Sequence, residues 1–142
     1  MILPPDIRIY GNVRHRDQRC PKETLEQITF FNRLRTQYPT SYGKIGLHIR
    51  NEGDKHHAQV VTEKAEGMVT GASDIVIPGN PTFVCELKRR DHTLSTLSKE
   101  QVMYLRAAQQ AGAFVCIALG CDAAWEGFQE WVGHVAQRAP PL

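Results

Sequence analysis

The chain has 142 residues, which is enough for one domain with a substantial hydrophobic core. Lys and Arg total 17 against 15 Asp and Glu, so the net charge is only +2 and any affinity for phosphate has to come from local clustering of cations. No apolar run approaches the roughly 20 residues that cross a bilayer, and the first residues lack a signal-peptide pattern, so we expect neither a membrane span nor a secretory leader.

The four cysteines indicate a reduced, cytoplasmic protein. They form no CxxC pair and have no His at zinc-finger spacing, so no structural zinc is expected. Cys85 and Cys116 fall inside predicted strands, where reduced thiols behave as small apolar residues.

The first predicted helix follows an N-terminal stretch without a clear period. Residues 1–20 are predicted to be an irregular or edge-strand extension, and residues 21–142 to form the folded domain. The helix covers residues 21–37, because the residue before Pro39 disfavours the α region. On a helical wheel, Glu23 faces the body of the protein one turn before Gln27, whereas Glu26 falls on the side expected to face solvent.

The middle of the chain predicts strands around a hairpin. Residues 44–50 alternate weakly and suit a strand, and residues 54–67 suit a short polar helix or a loop. Two β-rich runs follow within residues 73–88, broken by Pro78-Gly79-Asn80-Pro81, which indicates a hairpin with a loop longer than two residues.

The last third predicts a helix, a strand and a second helix. Ser98 and Gln101 have capping-box spacing and begin a helix that ends near Gln110. Residues 113–119 form a wholly apolar run, typical of a strand covered on both faces, and residues 122–136 form an amphipathic helix. The order predicts an α/β domain with a central mixed β-sheet flanked by helices, in which a helical crossover joins two parallel strands.

The strand after the hairpin carries an acid and a base on one face. Glu86 and Lys88 share a face because side chains two residues apart in a strand point the same way. Counting outward from Asn80 pairs Ile77 with Phe83 and places Asp74 opposite Glu86. A slip of one residue would send Asp74 to the other side of the sheet.

Two opposed carboxylates repel each other unless a cation lies between them. Mg²⁺ takes oxygen ligands and binds through one or two carboxylates together with substrate phosphate. Two acids, a lysine and open coordination positions are the groups needed to hydrolyse a phosphodiester. Considered alone, each residue also has a structural explanation: Glu23 as a first-turn acid, Gln101 as a capping residue, and Glu86 with Lys88 as a solvated face.

This arrangement resembles the PD-(D/E)XK nuclease superfamily, and within it the VRR-NUC branch, especially small stand-alone members encoded by bacteriophages. The resemblance covers about residues 21–136 and depends on the order and spacing of its pieces. These are Glu23 with Gln27, His48-Ile49-Arg50-Asn51, Glu66-Gly67, Gly71-Ala72-Ser73-Asp74, Glu86-Leu87-Lys88, Ser98 with Gln101, and Ala111-Gly112-Ala113. Ser73 and Arg50 stand where the family commonly has Pro, and neither change removes a ligand.

The resemblance implies a restriction-endonuclease-like fold and a Mg²⁺- or Mn²⁺-dependent endonuclease. It makes Asp74, Glu86 and the backbone carbonyl of Leu87 metal ligands and Lys88 the catalytic lysine. Glu23 would be the outer acid of the metal site, which binds or orients a metal-bound water, and Gln101 would be the helix residue that closes the site. It also implies DNA products with 5′-phosphate and 3′-hydroxyl ends, branched substrates such as Holliday junctions or flaps, a homodimer, and the host-cell cytoplasm if the chain is phage-encoded.

Cations that could face DNA phosphate cluster around the predicted site, and they favour recognition of backbone and shape over base sequence. The candidates are Arg89, Arg90, Lys99, Arg50 and Lys44. His48 and Asn51 have no role that the sequence supplies, and a structural role is the preferred interpretation of His48.

Two other functions remain open at this stage. One is a non-catalytic DNA-binding or assembly module that retains the nuclease fold. The other is a metal-free RNA endonuclease that uses His as general base, which two acids and a lysine fit less well than they fit a metal site.

Overall fold

A five-stranded sheet organises the chain. The computed structural model describes residues 1–49 and 57–138. In chain order its elements are β1 (Arg8–Tyr10), α1 (Glu23–Gln37), α2 (Tyr42–Ile45), β2 (Leu47–His48), α3 (His57–Ala65), β3 (Ile75–Ile77), β4 (Phe83–Lys88), α4 (Lys99–Gln110), β5 (Phe114–Leu119) and α5 (Cys121–Arg138).

The strands lie in the order β1-β5-β4-β3-β2. β5 pairs in parallel with both β1 and β4, whereas β3 runs antiparallel to β4 and to β2. Helix α4 therefore forms the crossover between the parallel strands β4 and β5. The predicted α/β class, with a mixed sheet flanked by helices, is confirmed.

Helices cover both faces of the sheet, which explains why every residue of β4 and β5 is buried. One face packs against α1 and α5 through aromatic residues, among them Phe30, Phe128 and Trp131. The opposite face packs against α4 around Leu105 and Ile117. Successive residues of β4 alternate between these two faces of the sheet, with Phe83, Cys85 and Leu87 in the first core and Val84 in the second.

The predicted hairpin register is confirmed. Ile77 pairs with Phe83, and Ile75 pairs with Cys85. Continuing the same register by one residue sets Asp74 opposite Glu86, on the face that also carries Lys88. The C-terminal end of β4 is therefore the point at which the predicted charged residues meet.

The predicted surface position of Glu26 is wrong, because this side chain is 1% exposed. Its carboxylate accepts a hydrogen bond from the backbone amide of Cys121 and lies 3.3 Å from the Arg90 guanidinium. Gly120 has φ +95°, and a Cβ there would lie 2.7 Å from Glu26 Oε2. Glu26 thus stabilises the N-terminus of α5.

The predicted strand over residues 44–50 is only partly correct. Residues 42–45 form the short helix α2, so Lys44 lies in a helical turn, and the strand is limited to Leu47 and His48. The positions of Arg50 and Asn51 fall outside the described residues.

Part of the N-terminal stretch joins the sheet. β1 is an edge strand beside β5, with Ile7 and Tyr10 buried. Of the two conformations predicted for residues 1–20, the edge strand is present at residues 8–10, whereas the domain boundary at residue 20 stays a prediction. None of the helices in the described parts of the chain could cross a membrane.

Candidate metal and catalytic site

Four elements bring charged and polar side chains together at the C-terminal end of β4. Asp74 directly precedes β3, and Glu86 and Lys88 lie on β4. Glu23 begins α1, and Gln101 lies in the first turn of α4. The structure thus brings together all five side chains that the sequence predicted for the site.

Asp74 is held by the backbone amide of Leu87 and by the imidazole of His48. Its Oδ2 accepts a hydrogen bond from the backbone amide of Leu87 at 2.9 Å. Its own carbonyl oxygen lies 2.8 Å from His48 Nδ1. Burial raises the pKa of Asp74, and the hydrogen bond from the Leu87 amide opposes that shift. The carboxylate is therefore fixed in position but costly to ionise.

Glu86 is 1% exposed and has one oxygen satisfied and one not. Its Oε1 accepts a hydrogen bond from Gln101 Nε2 at 3.0 Å and lies 3.3 Å from Lys88 Nζ. Its Oε2 has no hydrogen-bond partner among the described residues. Burial, followed by the Asp74 carboxylate, raises the pKa of Glu86 to about 9. This is a buried acid that lacks a positive partner on one side.

Lys88 lies among oxygen atoms at the same point. Its Nζ donates to the Thr96 carbonyl at 2.5 Å and lies 3.4 Å from Gln101 Oε1. The Glu23 carboxylate is 4.0 Å away. With only 3% of the residue exposed, these contacts fix the position of the ammonium group.

Glu23 forms the solvent-facing side of the site. Its Oε1 accepts a hydrogen bond from Ser95 Oγ at 2.8 Å, and 39% of its side chain is exposed. A cleft of about 230 Å³ lies beside it and is also lined by His48 and Asp74. A polar ligand can therefore reach the carboxylates from this side.

Gln101 serves both the helix and the site. Its side-chain oxygen accepts from the Ser98 amide at 2.8 Å, which completes the predicted capping box, while its amide nitrogen donates to Glu86. Gly71 (φ +83°) packs against this helix start, and a Cβ there would lie 2.7 Å from the Gln101 backbone nitrogen. The chain leading into Asp74 is thereby packed directly on the start of α4.

The donor set suits a hard divalent cation, although the ligands are not arranged as a closed cage. Within the described parts of the chain, no three His, Cys, Asp or Glu side chains form a metal-binding group. Two carboxylates with open coordination positions are typical of sites that bind Mg²⁺ together with phosphate. The unpartnered Oε2 of Glu86, beside the Asp74 carboxylate, meets this requirement.

The predicted phosphate-binding cations differ in their surroundings. Arg89 donates to the carbonyls of Cys20 and Pro21 at 2.6 and 3.1 Å. Arg90 is paired with Glu26, as described above. Lys44 and Lys99 are exposed to solvent, and Arg50 lies outside the described residues.

The groups that hold Lys88 and Glu23 were not predicted from the sequence. Ser95 Oγ accepts from the Arg89 amide at 3.0 Å and donates to Glu23, and the carbonyl of Thr96 binds Lys88. Backbone carbonyls carry no residue-specific signal. The only available sign was the pair Asp91 and Thr93, which predicts a turn directly after β4.

Comparisons with known proteins define the fold. No protein-family model matches the sequence, and no curated protein matches it. A solved structure described as a "VRR_NUC domain protein" superposes with a TM-score of 0.66 at 17% sequence identity, covering 80% of this chain and 89% of that chain. The chain has the fold of that VRR_NUC domain protein, as the resemblance in the sequence implied.

Proposed function

We propose that the chain is a divalent-metal-dependent endonuclease that hydrolyses DNA phosphodiester bonds. The observation that carries the proposal is the buried pair Asp74 and Glu86, with one Glu86 oxygen unpartnered and Lys88 Nζ 3.3 Å from the other. The shared fold with a VRR_NUC domain protein supports the same conclusion. The conclusion makes the protein a hydrolase.

Asp74 and Glu86 would hold Mg²⁺ or Mn²⁺, with the Leu87 carbonyl and Glu23 as further oxygen ligands. The bound cation supplies charge neutralisation at the phosphate and a water of lowered pKa. Glu23, which is open to the cleft, orients water on the solvent side. Gln101 holds the Glu86 carboxylate in place through its 3.0 Å hydrogen bond.

Lys88 supplies a fixed positive charge beside the scissile phosphate. Its ammonium is positioned by the Thr96 carbonyl and by Glu86, so it does not need to reorganise when negative charge develops on the phosphoryl oxygens. Cleavage at this site would leave 5′-phosphate and 3′-hydroxyl ends, which a DNA ligase can reseal.

Branched DNA is the proposed substrate class, and a two-fold dimer is the proposed assembly. Both come from the resemblance to small stand-alone VRR-NUC nucleases, in which two sites face two strands of a junction. Light scattering coupled to gel filtration measures the mass in solution. A mass equal to one chain at all concentrations would contradict the dimer.

A cleavage panel tests the activity. Four-way junctions, flaps, single strands and plain duplex of DNA, together with an RNA strand, are incubated with Mg²⁺, Mn²⁺ or EDTA. We expect metal-dependent cutting that is strongest on branched substrates and is lost in Lys88→Ala. Lys64→Ala, which removes an exposed lysine from α3, is the matched control and should cut normally. Undiminished cutting by Lys88→Ala would refute the proposed site, and cutting of RNA in EDTA would favour the metal-free alternative.

A non-catalytic DNA-binding module with the same fold is the second candidate. It is favoured by the lack of a three-ligand metal-binding group in the described parts of the chain. Calorimetric titration with Mg²⁺ or Mn²⁺ separates the two candidates. Binding that Asp74→Asn abolishes supports the nuclease, whereas no binding by the unaltered protein supports the module.

A further inference from the structure

We propose that residues 12–22 form a phosphate-binding strap that holds a double-stranded DNA arm beside the catalytic cleft. The inference deepens the proposed function and rests on it for the identity of the ligand. The sequence predicts no phosphate contact in this segment, since the predicted contacts are Arg89, Arg90, Lys99, Arg50 and Lys44.

The strap is anchored to the turn that follows β4. The Asp17 amide donates to Asp91 Oδ2 at 3.0 Å, and His92 Nε2 lies 3.1 Å from the Val13 carbonyl. Arg89 donates to the carbonyls of Cys20 and Pro21. Asp91 itself is 2% exposed and also accepts hydrogen bonds from Thr93. A segment without regular secondary structure is thus held in one place by buried polar groups.

The strap carries a concentration of positive charge that the chain as a whole lacks. Arg14, Arg16, Arg19 and Lys22 are all exposed, and Asp17 is the only acid in the segment. This gives the strap a charge of +3, whereas all 142 residues together carry +2, so the rest of the chain is slightly acidic. Such clustering creates local affinity for phosphate in a nearly neutral protein.

These cations are available to a ligand. In the described parts of the chain, no carboxylate lies within ion-pair distance of Arg14, Arg19 or Lys22. Arg16 donates to the carbonyls of Val13 and His15. The hydrogen bonds from Thr93 and the Asp17 amide, followed by the charge of Arg16, lower the pKa of Asp91. The guanidinium of Arg89, by contrast, is occupied by the backbone of the strap, and that of Arg90 is paired with Glu26.

The strap leads directly to the catalytic residues. Lys22 is followed by Glu23, which lines the cleft of about 230 Å³ that contains Asp74. Glu23 also lines a second cavity of about 300 Å³, together with Lys22, Arg89 and Ser95. Both cavities are lined by Glu23 and Thr24, and the second one reaches Lys22 at the end of the strap.

The composition of the strap favours a duplex over a single strand. Residues 12–22 contain no Phe, Tyr or Trp, and stacking on aromatic rings is what single-strand binders use. Arginine contacts to phosphate fix the position and orientation of a duplex without reading its bases.

The test is a binding measurement in EDTA, where no metal-dependent cleavage can interfere. Arg14→Gln, Arg16→Gln and Arg19→Gln are combined in one variant, and fluorescence anisotropy follows a labelled duplex and a single strand of equal length. We expect duplex affinity to fall at least about tenfold, and the slope of log affinity against log salt to fall by about 2 to 3. The control combines Arg8→Gln, Arg33→Gln and Arg106→Gln, which removes equal charge from residues paired with Glu130, Asp122 and Asp6.

A second variant tests the anchoring separately from the charge. Asp91→Ala makes the protein more positive but removes the carboxylate that anchors the strap. If binding requires the strap to be held in place, duplex affinity should fall by at least about threefold in this variant. If this variant fails to fold, the arginine variant still decides the question. Circular dichroism and thermal melting establish that each variant is folded.

The outcomes are distinct. Unchanged duplex affinity in the arginine variant, an equal loss in the control variant, or a loss for the single strand only would overturn the inference. Weakened duplex binding in the arginine variant alone supports it. A further outcome is that the unaltered protein fails to cleave DNA in Mg²⁺ although its duplex affinity still depends on the strap arginines. In that case the proposed nuclease activity is wrong and the phosphate-binding role of the strap is supported.

Discussion

At the scale of single residues, two carboxylates share a buried position that neither would favour without a cation. Glu86 and Asp74 lie opposite each other, and Glu86 Oε2 has no hydrogen-bond partner among the described residues. The nearby Lys88 offsets part of the repulsion from one side only. Such an arrangement lowers the stability of the metal-free protein and favours cation binding.

The stability of the metal-free protein should fall as the pH rises from about 5 to about 9. The pKa of Glu86 is raised to about 9 by burial and by Asp74, so the folded state holds its proton more tightly than the unfolded state does. The stabilisation that this proton provides is fully present below the pKa that Glu86 has in the unfolded chain. It is lost as the pH approaches the pKa of Glu86 in the folded protein. The slope from this group is at most about 1.4 kcal/mol per pH unit.

Glu86→Gln should remove that slope, raise the melting temperature in EDTA at neutral pH, and abolish cleavage. Thermal melts across this pH range, with and without Mg²⁺, measure the slope and the melting temperature, and a cleavage assay measures the loss of activity. Glu126→Gln, on the exposed side of α5, is the control and should leave the slope unchanged. A Glu86→Gln protein that melts below the unaltered protein in EDTA would show that the ionised carboxylate is satisfied within the fold.

Sequence alone could place Asp74, Glu86 and Lys88 because strand side chains alternate with a period of two and the hairpin fixes the register. The same reasoning failed for Glu26. A helical wheel gives the direction of a side chain on α1 but not what lies beside the helix. The start of α5, which Glu26 contacts at Cys121, comes from a distant part of the chain.

At the scale of elements, the start of α4 joins local helix stability to the site. Ser98 and Gln101 form the capping box that the sequence predicted, and Gln101 also holds Glu86. The spacing of Ser98 and Gln101 specifies the cap, because capping is local. The contact with Glu86 depends on the crossover that brings α4 against β4, which spacing alone does not specify.

Ser98→Ala and Gln101→Ala should both destabilise the protein but should differ in activity. Each removes one side of the capping box, and loss of the N-cap side chain of Ser98 is expected to cost about 1 kcal/mol. Only Gln101→Ala also removes the hydrogen bond that orients Glu86, so its cleavage rate should fall about 10- to 100-fold. Chemical unfolding and cleavage rates, measured on the same preparations, give both quantities.

Ser98→Ala serves as the control for the helix, and Gln110→Ala, at the exposed far end of α4, serves as the control for loss of a glutamine. Equal loss of activity in Ser98→Ala and Gln101→Ala would mean that the cap, and not the contact with Glu86, is what the site requires.

At the scale of the whole molecule, the first 22 residues have two parts with different roles. β1 covers one edge of the sheet, and Ile7 and Tyr10 pack into the two cores. The strap of residues 12–22 lies at the end of the sheet that carries the site. The sequence did not separate these parts because β1 has only three residues and its partner, β5, is more than 100 residues away. Parallel pairing over such a distance leaves no local periodic signal.

Deletion of residues 1–10 tests the predicted domain boundary at residue 20. If the domain begins at residue 21, the shortened chain should melt like the complete one. The pairing of β1 with β5 predicts otherwise: loss of Ile7 and Tyr10 removes about 3 to 6 kcal/mol of apolar burial and exposes the edge of β5. We expect the melting temperature to fall by about 10 °C or more, with aggregation at higher protein concentration.

The combined Arg14, Arg16 and Arg19 substitutions are the control, because they change the same N-terminal region at its exposed surface and should leave the melting temperature within about 2 °C. An unchanged melting temperature in the deletion would place β1 outside the cooperative unit and return the boundary to residue 20.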